Sequence, residues 1–256
     1  MKATRRIARW LLPAIAALMV AAPLRAEDPA PSSQFDAAQE DAIRQLVRDY
    51  ILEHPEVLME AVQAYRVRQQ VLQQQQLRET VTANRDRLVN DPDTPVAGNP
   101  EGDVVVVEFF DYRCPYCIQV AKLLREAVED DGNIRLIMKE FPILGPESLA
   151  IARMALASAK QGKYEEFHFA LMAVVGKVDE AKAIKVAKKV GLDVDQLRRD
   201  MQASEIDDML QRNYALAQDL QINGTPAFVI GDELVRGAID MSALRQMVAS
   251  ARAGSS

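Results

Sequence analysis

The chain has 256 residues and a formal charge of −6, from 31 Lys and Arg against 37 Asp and Glu. That balance argues against nucleic acid as a partner and does not favour an anionic membrane surface, since both need clustered positive charge. With two cysteines and two histidines, a structural zinc centre of about four ligands has few residues to draw on.

Residues 1–26 read as a cleavable export signal. Lys2, Arg5, Arg6 and Arg9 are basic, residues 11–22 are apolar but too short to span a bilayer comfortably, and Leu24-Arg25-Ala26 ends on a small residue. Glu27 is then the expected mature N-terminus; the alternative is an uncleaved anchor. Losing the five basic residues of this segment moves the formal charge from −6 to −11. Two cysteines in an exported chain ordinarily suggest a structural disulfide. Cys114 and Cys117 are only three positions apart, and so small a loop removes little chain entropy. The pair therefore reads as functional.

Residues 27–94 form the first expected region, an N-terminal helical arm and the start of a linker. A helix starts near Asp36, with Ile43, Leu46, Val47, Tyr50 and Ile51 on one stripe. His54-Pro55 interrupts it, and Pro55 suits the first turn of a second helix. That helix is expected to run to about Asn90, a length of about 50 Å at about 1.5 Å per residue. Its apolar positions include Val57, Leu58, Val62 and Tyr65, diluted by six glutamines between Gln69 and Gln76. A helix of this kind cannot bury its own stripe. Either partner chains cover it, making a self-association arm, or it is a solvated extension. Residues 91–102, with three prolines and two glycines, read as a linker and hinge.

Residues 95–256 form the second expected domain, large enough for one full core. The run 104–110, Val-Val-Val-Val-Glu-Phe-Phe, suits a central strand covered on both faces. A helix over 118–128 and a strand over 134–138 follow, an order that implies a parallel crossover. From about 146 to 220 the pattern is helical, with Gly162, Gly176 and Gly191 as breaks and one long final helix from 194. Strands at 227–230 and 234–236 come next, and Asp240 or Ser242 caps a last helix.

The chemistry centres on Cys114, Pro115, Tyr116 and Cys117. Cysteine attacks as thiolate, and a helix N-terminus favours that form through its free N–H groups and dipole. Pro115 fits the first turn without losing a hydrogen bond. Cys114 then lies at the cap, expected to be exposed and activated. Cys117 falls on the buried row with Val120, Ala121, Leu124 and Val128, the shielded partner that resolves a mixed disulfide. Glu108, inside the apolar strand, is either a buried proton acceptor for Cys117 or a carboxylate that reaches solvent or pairs with Lys139. No metal site is assigned: His54 sits at a helix cap and His168 inside a helix, and copper(I) on the two thiolates is the metal alternative. Pro226 starts the strand at 227–230, where a proline breaks no ladder bond.

The strand ending Glu-Phe-Phe-Asp-Tyr-Arg, the Cys-Pro-Tyr-Cys quartet, the helical insertion and Gly-Thr-Pro-Ala-Phe together resemble the thioredoxin superfamily, and the insertion places them with its DsbA-like periplasmic oxidoreductases. Cys-Pro-Tyr-Cys is also the glutaredoxin motif, but glutaredoxins lack an export signal and a long insertion. The resemblance spans residues of about 95 to 253. It implies an α/β thioredoxin-like fold, a cis Pro226 facing the cysteines, and Thr225 offering backbone to an extended substrate as in strand addition; Pro115 and Tyr116 belong to the same substrate-binding surface. Glu108 falls at the family's buried-acid position. The arm around Arg-Asp-Tyr-Ile-Leu-Glu-His-Pro-Glu-Val-Leu-Met is similar to that of the suppressor-of-copper-sensitivity C group, which implies homo-oligomers (trimer favoured over dimer), a periplasmic location, copper tolerance as a setting, and a membrane thiol reductase as electron donor. No cofactor is implied.

The expected function is an exported disulfide isomerase or reductase acting on misfolded, disulfide-containing exported proteins. The alternatives are a DsbA-type dithiol oxidase and a copper-binding or holdase protein.

Overall fold

A computed structural model describes residues 35–254; the expected export signal lies outside them. Among the described residues no helix is long and apolar enough to cross a membrane. The chain divides into two compact units, one up to Val62 and one from Gln63 onward.

In the first unit, α1 spans Ala37–Glu53. It opens on a capping box: Asp36 accepts from the Gln39 N–H at 2.9 Å and Gln39 accepts from the Asp36 N–H at 3.0 Å. His54, before Pro55, leaves the helical region and ends it. Helix α2, Pro55–Ala83, starts on that proline and carries the chain across the unit boundary. Ile43, Leu46, Val47, Tyr50, Ile51, Val57 and Leu58 are all exposed within this unit, as the predicted stripe requires.

Helix α2 stops at Ala83, short of the expected Asn90. The Asn84 side chain donates to the Thr80 carbonyl at 3.0 Å, competing with the backbone ladder, and a short α3, Arg85–Val89, resumes afterwards. Val81 and Leu88, at the ends of this break, are buried against the sheet.

The sheet of the second unit has the order β1-β3-β2-β4-β5, with β1 Val96–Gly98, β2 Val104–Phe110, β3 Ile134–Glu140, β4 Ala227–Ile230 and β5 Glu233–Arg236. β2 is central, parallel to β3 and antiparallel to β4. The β2–α4–β3 crossover uses α4, Pro115–Asp131, which ends on Gly132 in the left-handed conformation glycine tolerates. This is the expected thioredoxin-like fold. The insertion comprises α5 Pro146–Ser158, α6 Tyr164–Met172, α7 Glu180–Lys189, α8 Val194–Asp200 and α9 Ser204–Asp219, and α10 Met241–Gly254 closes the chain. The single long helix expected from 194 is two, because the chain turns at 201–203.

Residues 91–102, expected as a loose linker, are fixed to the domain. β1 pairs with β3, and Lys139, 1% exposed, reaches Thr94 Oγ1 at 2.8 Å and Asp91 Oδ2 at 3.5 Å. Arg212 of α9 binds Asp91 and Asp93 at 3.2 and 2.9 Å. A buried lysine costs several kcal/mol unless paired, so Lys139 demands this anchorage. Two cores result. One lies between the sheet and α4, α10 and the insertion; the other covers the opposite face with Val81, Leu88 and the end of α9.

Candidate functional site

β2 ends at Phe110 and the loop 111–114 turns the chain into α4. Asp111 braces that loop: its carboxylate accepts from the Arg113 N–H at 2.8 Å, the Ser148 hydroxyl at 2.8 Å and the Leu144 N–H at 3.0 Å. Cys114 is the N-cap and Pro115 opens the first turn, as the motif predicts. Both cysteines are free thiols.

Cys114 is not exposed, however. It is 5% accessible, because the cis Thr225-Pro226 peptide packs over it. As a thiol, Cys114 Sγ donates to the Thr225 carbonyl at 3.2 Å. As a thiolate it gathers donors, first the Cys117 S–H, then the Thr225 side chain and the backbone N–H groups of Cys117 and Tyr116. These outweigh burial and hold its pKa down at about 5. Cys117 is fully buried on the inner row of α4. Burial pushes its thiol far up, and the hydrogen bond to Cys114 and the nearby Glu108 push the same way. One sulfur is thus a stable anion near neutrality and its neighbour a thiol.

Glu108 is 1% exposed, and its Oε1 has no hydrogen-bond partner among the described residues. Burial first, and then the charge on Cys114, raise its pKa to about 8. The alternative pairing with Lys139 does not occur. Register places Met138, not Lys139, opposite Glu108, and the next residue along a strand points to the other face. The site therefore brings together Cys114, Cys117, Glu108, Thr225 and Pro226, with Pro115 exposed and Tyr116 61% exposed at its rim. Sequence reasoning missed the brace at Asp111 and a buried cluster of Tyr112, Glu140, Tyr164 and His168. The adjacent charges Lys139-Glu140 at the end of an apolar strand were a usable signal for the second.

With this geometry in hand, sequence profiles of known families discriminate clearly. The DSBA-like thioredoxin domain profile matches residues 105–249. The chain belongs to that family. Residues 39–79 match the profile of the copper resistance protein ScsC N-terminal domain. A thioredoxin-like oxidoreductase from Silicibacter pomeroyi DSS-3 is 52% identical, with a TM-score of 0.65 over 66% of this chain and 98% of that one. Proteus mirabilis ScsC in a transitional conformation is 32% identical, with a TM-score of 0.65 over 86% of this chain and 100% of that one. Among curated proteins, the Na(+)/H(+) antiporter NhaA 1 of Salinispora arenicola is 32% identical over 167 residues, which cover 64% of this chain and 26% of the antiporter. The chain thus spans about a quarter of the length of such relatives. The DSBA-like domain and the ScsC-type arm segment thus accompany a pair of free thiols at the start of α4.

Proposed function

We propose that the chain is a periplasmic, exported disulfide isomerase and reductase, with Cys114 as nucleophile, Cys117 as resolver and Glu108 as proton acceptor. The observation that carries this reading is Cys114 at the N-cap of α4, 3.2 Å from the Thr225 carbonyl, with Cys117 fully buried one turn further on, an arrangement that lowers the pKa of the first thiol and raises that of the second. The Cys114 thiolate attacks one sulfur of a substrate disulfide. That S–S bond breaks, a substrate thiolate leaves, and a mixed disulfide forms. If the freed substrate thiolate attacks another disulfide of the same molecule and eventually displaces Cys114, no net electrons move: the result is isomerisation. If Cys117 gives its proton to Glu108 and attacks Cys114 Sγ instead, the substrate leaves reduced and Cys114–Cys117 closes as a disulfide. Charge on Cys114 is absent in the mixed disulfide, so that part of the upward push on Glu108 disappears at the step where a base is needed.

Substrates in this reading are misfolded exported proteins. Thr225 supplies backbone to an extended segment, Pro226 keeps that segment facing the sulfur, and exposed Pro115 and Tyr116 add contact area. A membrane thiol reductase returns the electrons. The exposed apolar row of α1 and early α2 is covered by further copies, with a trimer favoured over a dimer, and several linked catalytic domains then surround one substrate.

A dithiol oxidase is the second reading, because a stabilised Cys114 thiolate also favours the reduced form and so makes the disulfide a better oxidant. Scrambled ribonuclease separates the two. The reduced mature protein, without added oxidant, is expected to restore ribonuclease activity; restoration only of reduced ribonuclease by the oxidised protein sinks the isomerase reading.

A further inference from the structure

The steps above leave a second fully buried carboxyl, Glu140, without a role. β2 and β3 run in parallel, with Glu108 opposite Met138 and Phe110 opposite Glu140. Both glutamates therefore project from the same face, one diagonal apart, and the Glu108 charge acts on Glu140. Glu140 Oε1 accepts from the Tyr112 hydroxyl at 3.1 Å and the Tyr164 hydroxyl at 2.9 Å. Tyr112 has spent its single proton there, so its oxygen accepts from His168 Nδ1 at 3.0 Å, which fixes a neutral Nδ1–H imidazole. Burial, which drives His168 down to about 3, agrees.

With two donors on Oε1, the acid proton of Glu140 belongs on Oε2. That atom is buried and has no hydrogen-bond partner among the described residues, and neither has Glu108 Oε1. Buried polar atoms are rarely left unmatched. One of these is an O–H seeking an acceptor, and the other becomes a carboxylate oxygen seeking a donor. Burial keeps Glu140 protonated, with Asp111 and Glu108 adding to the effect of burial and the two tyrosines opposing it. Glu108 in turn faces Cys114 and Cys117 of α4 and influences Tyr164 of α6. Lys139, the nearest lysine in sequence, turns to the opposite face and its own partners.

We propose that in the mixed disulfide, where Cys114 carries no charge, the Glu140 carboxyl donates its O–H to the Glu108 carboxylate, offsets part of the cost of burying that charge, and so readies Glu108 to take the Cys117 proton. The inference rests on the reading of Glu108 as that acceptor. In the form of the mixed disulfide that resolves, the pair holds one proton, on Glu140. As Cys117 Sγ attacks Cys114 Sγ, its proton passes to Glu108, the bond from Cys114 to the substrate breaks, and the substrate leaves as thiolate; the pair then holds two. Glu140 is a positioning residue that acts through Glu108, and Tyr112 and Tyr164 fix which of its oxygens carries the proton.

The test is the pH dependence of mixed-disulfide resolution, followed by rapid quench in full-length wild type, Glu140→Gln and Glu108→Gln. Glutamine still accepts from both tyrosines, but its amide N–H is a weaker donor to a carboxylate than a carboxylic O–H. Glu140→Gln is expected to move the Glu108 midpoint upward by about one pH unit and to slow resolution at neutral pH by up to about tenfold, in line with a tuned general base. A profile superimposable on wild type in a folded Glu140→Gln protein overturns the proposal. If Glu108→Gln also leaves the profile unchanged, the Glu108 reading itself has failed. Should Glu140→Gln not fold, infrared titration of wild type decides. A sharing pair shows both carboxyl bands shifting together as Glu108 ionises, and a second band that stays still overturns the proposal.

Discussion

Replacing Cys114 by serine is expected to lower disulfide exchange at least about a thousandfold, the scale on which nucleophile deletions act. A hydroxyl at this position accepts the same donors but does not ionise near neutrality. Replacing Cys117 instead is expected to leave the first attack intact and block resolution, so that mixed disulfides with substrate accumulate on Cys114. Non-reducing gels read both outcomes directly. Accumulation on Cys117 in the Cys114→Ser protein would reverse the two roles, although the burial of Cys117 opposes that.

The second large effect concerns the arm. If the proposed oligomer forms through the arm, deleting residues 27–62 is expected to leave a monomer by light scattering. Reductase activity should persist, while isomerase activity falls by about tenfold or more, because linked domains raise the effective concentration around one substrate by a factor of about 10²–10⁴. The cut belongs at the unit boundary. A deletion through residue 94 would also remove Val81 and Leu88 from the second core, costing roughly 2–5 kcal/mol for each large apolar side chain, and would take Thr94 and Asp91 from Lys139. Loss of activity in that longer deletion would report damage to the domain. An unchanged mass in the shorter one refutes the arm as the means of assembly.

The extent to which the sequence foretold these features depends on how local each one is. The β-branched run fixes β2 at Val104–Phe110, and Thr-Pro before an apolar quartet marks β4 at Ala227–Ile230. Cys114 at a cap and Cys117 on the inner row follow from helix geometry within one turn. The burial of Cys114 does not, because its cover comes from Thr225-Pro226, more than a hundred positions away. The register of β3 was equally out of reach: a shift of one residue exchanges Met138 for Lys139 opposite Glu108 and turns the neighbour to the other face. β1 has only three residues and no periodicity of its own, so the prolines and glycines of residues 91–102 suggest a linker until β3 is placed beside it. The Glu140 cluster draws on β3, α6 and the loop after β2 at once, and no window of sequence contains it.

The shifted groups also set how stability responds to pH. The Cys114 pKa is about 5 in the folded protein against 9.0 ordinarily. Its contribution to the reduced form is therefore complete above pH 9 and lost as pH falls through 5. Glu108 is raised from 4.5 to about 8, so its contribution is complete below pH 4.5 and lost as pH rises through 8. In the disulfide form Cys114 has no proton to exchange and the burial part of the Glu108 effect remains. The reduced form should thus gain on the oxidised form from about pH 5 to pH 9, at a limiting slope of about 1.4 kcal/mol per pH unit. Melting both forms across this range checks the sign.

A Cys114 sulfur that rests as thiolate underlies every step proposed, and its ultraviolet absorbance can be titrated directly in the reduced protein. The structure predicts a midpoint near pH 5 that disappears in Cys114→Ser and survives in Cys117→Ala, shifted upward by loss of the Cys117 S–H donor. A midpoint near the ordinary thiol value of 9.0 in the wild-type protein would contradict it.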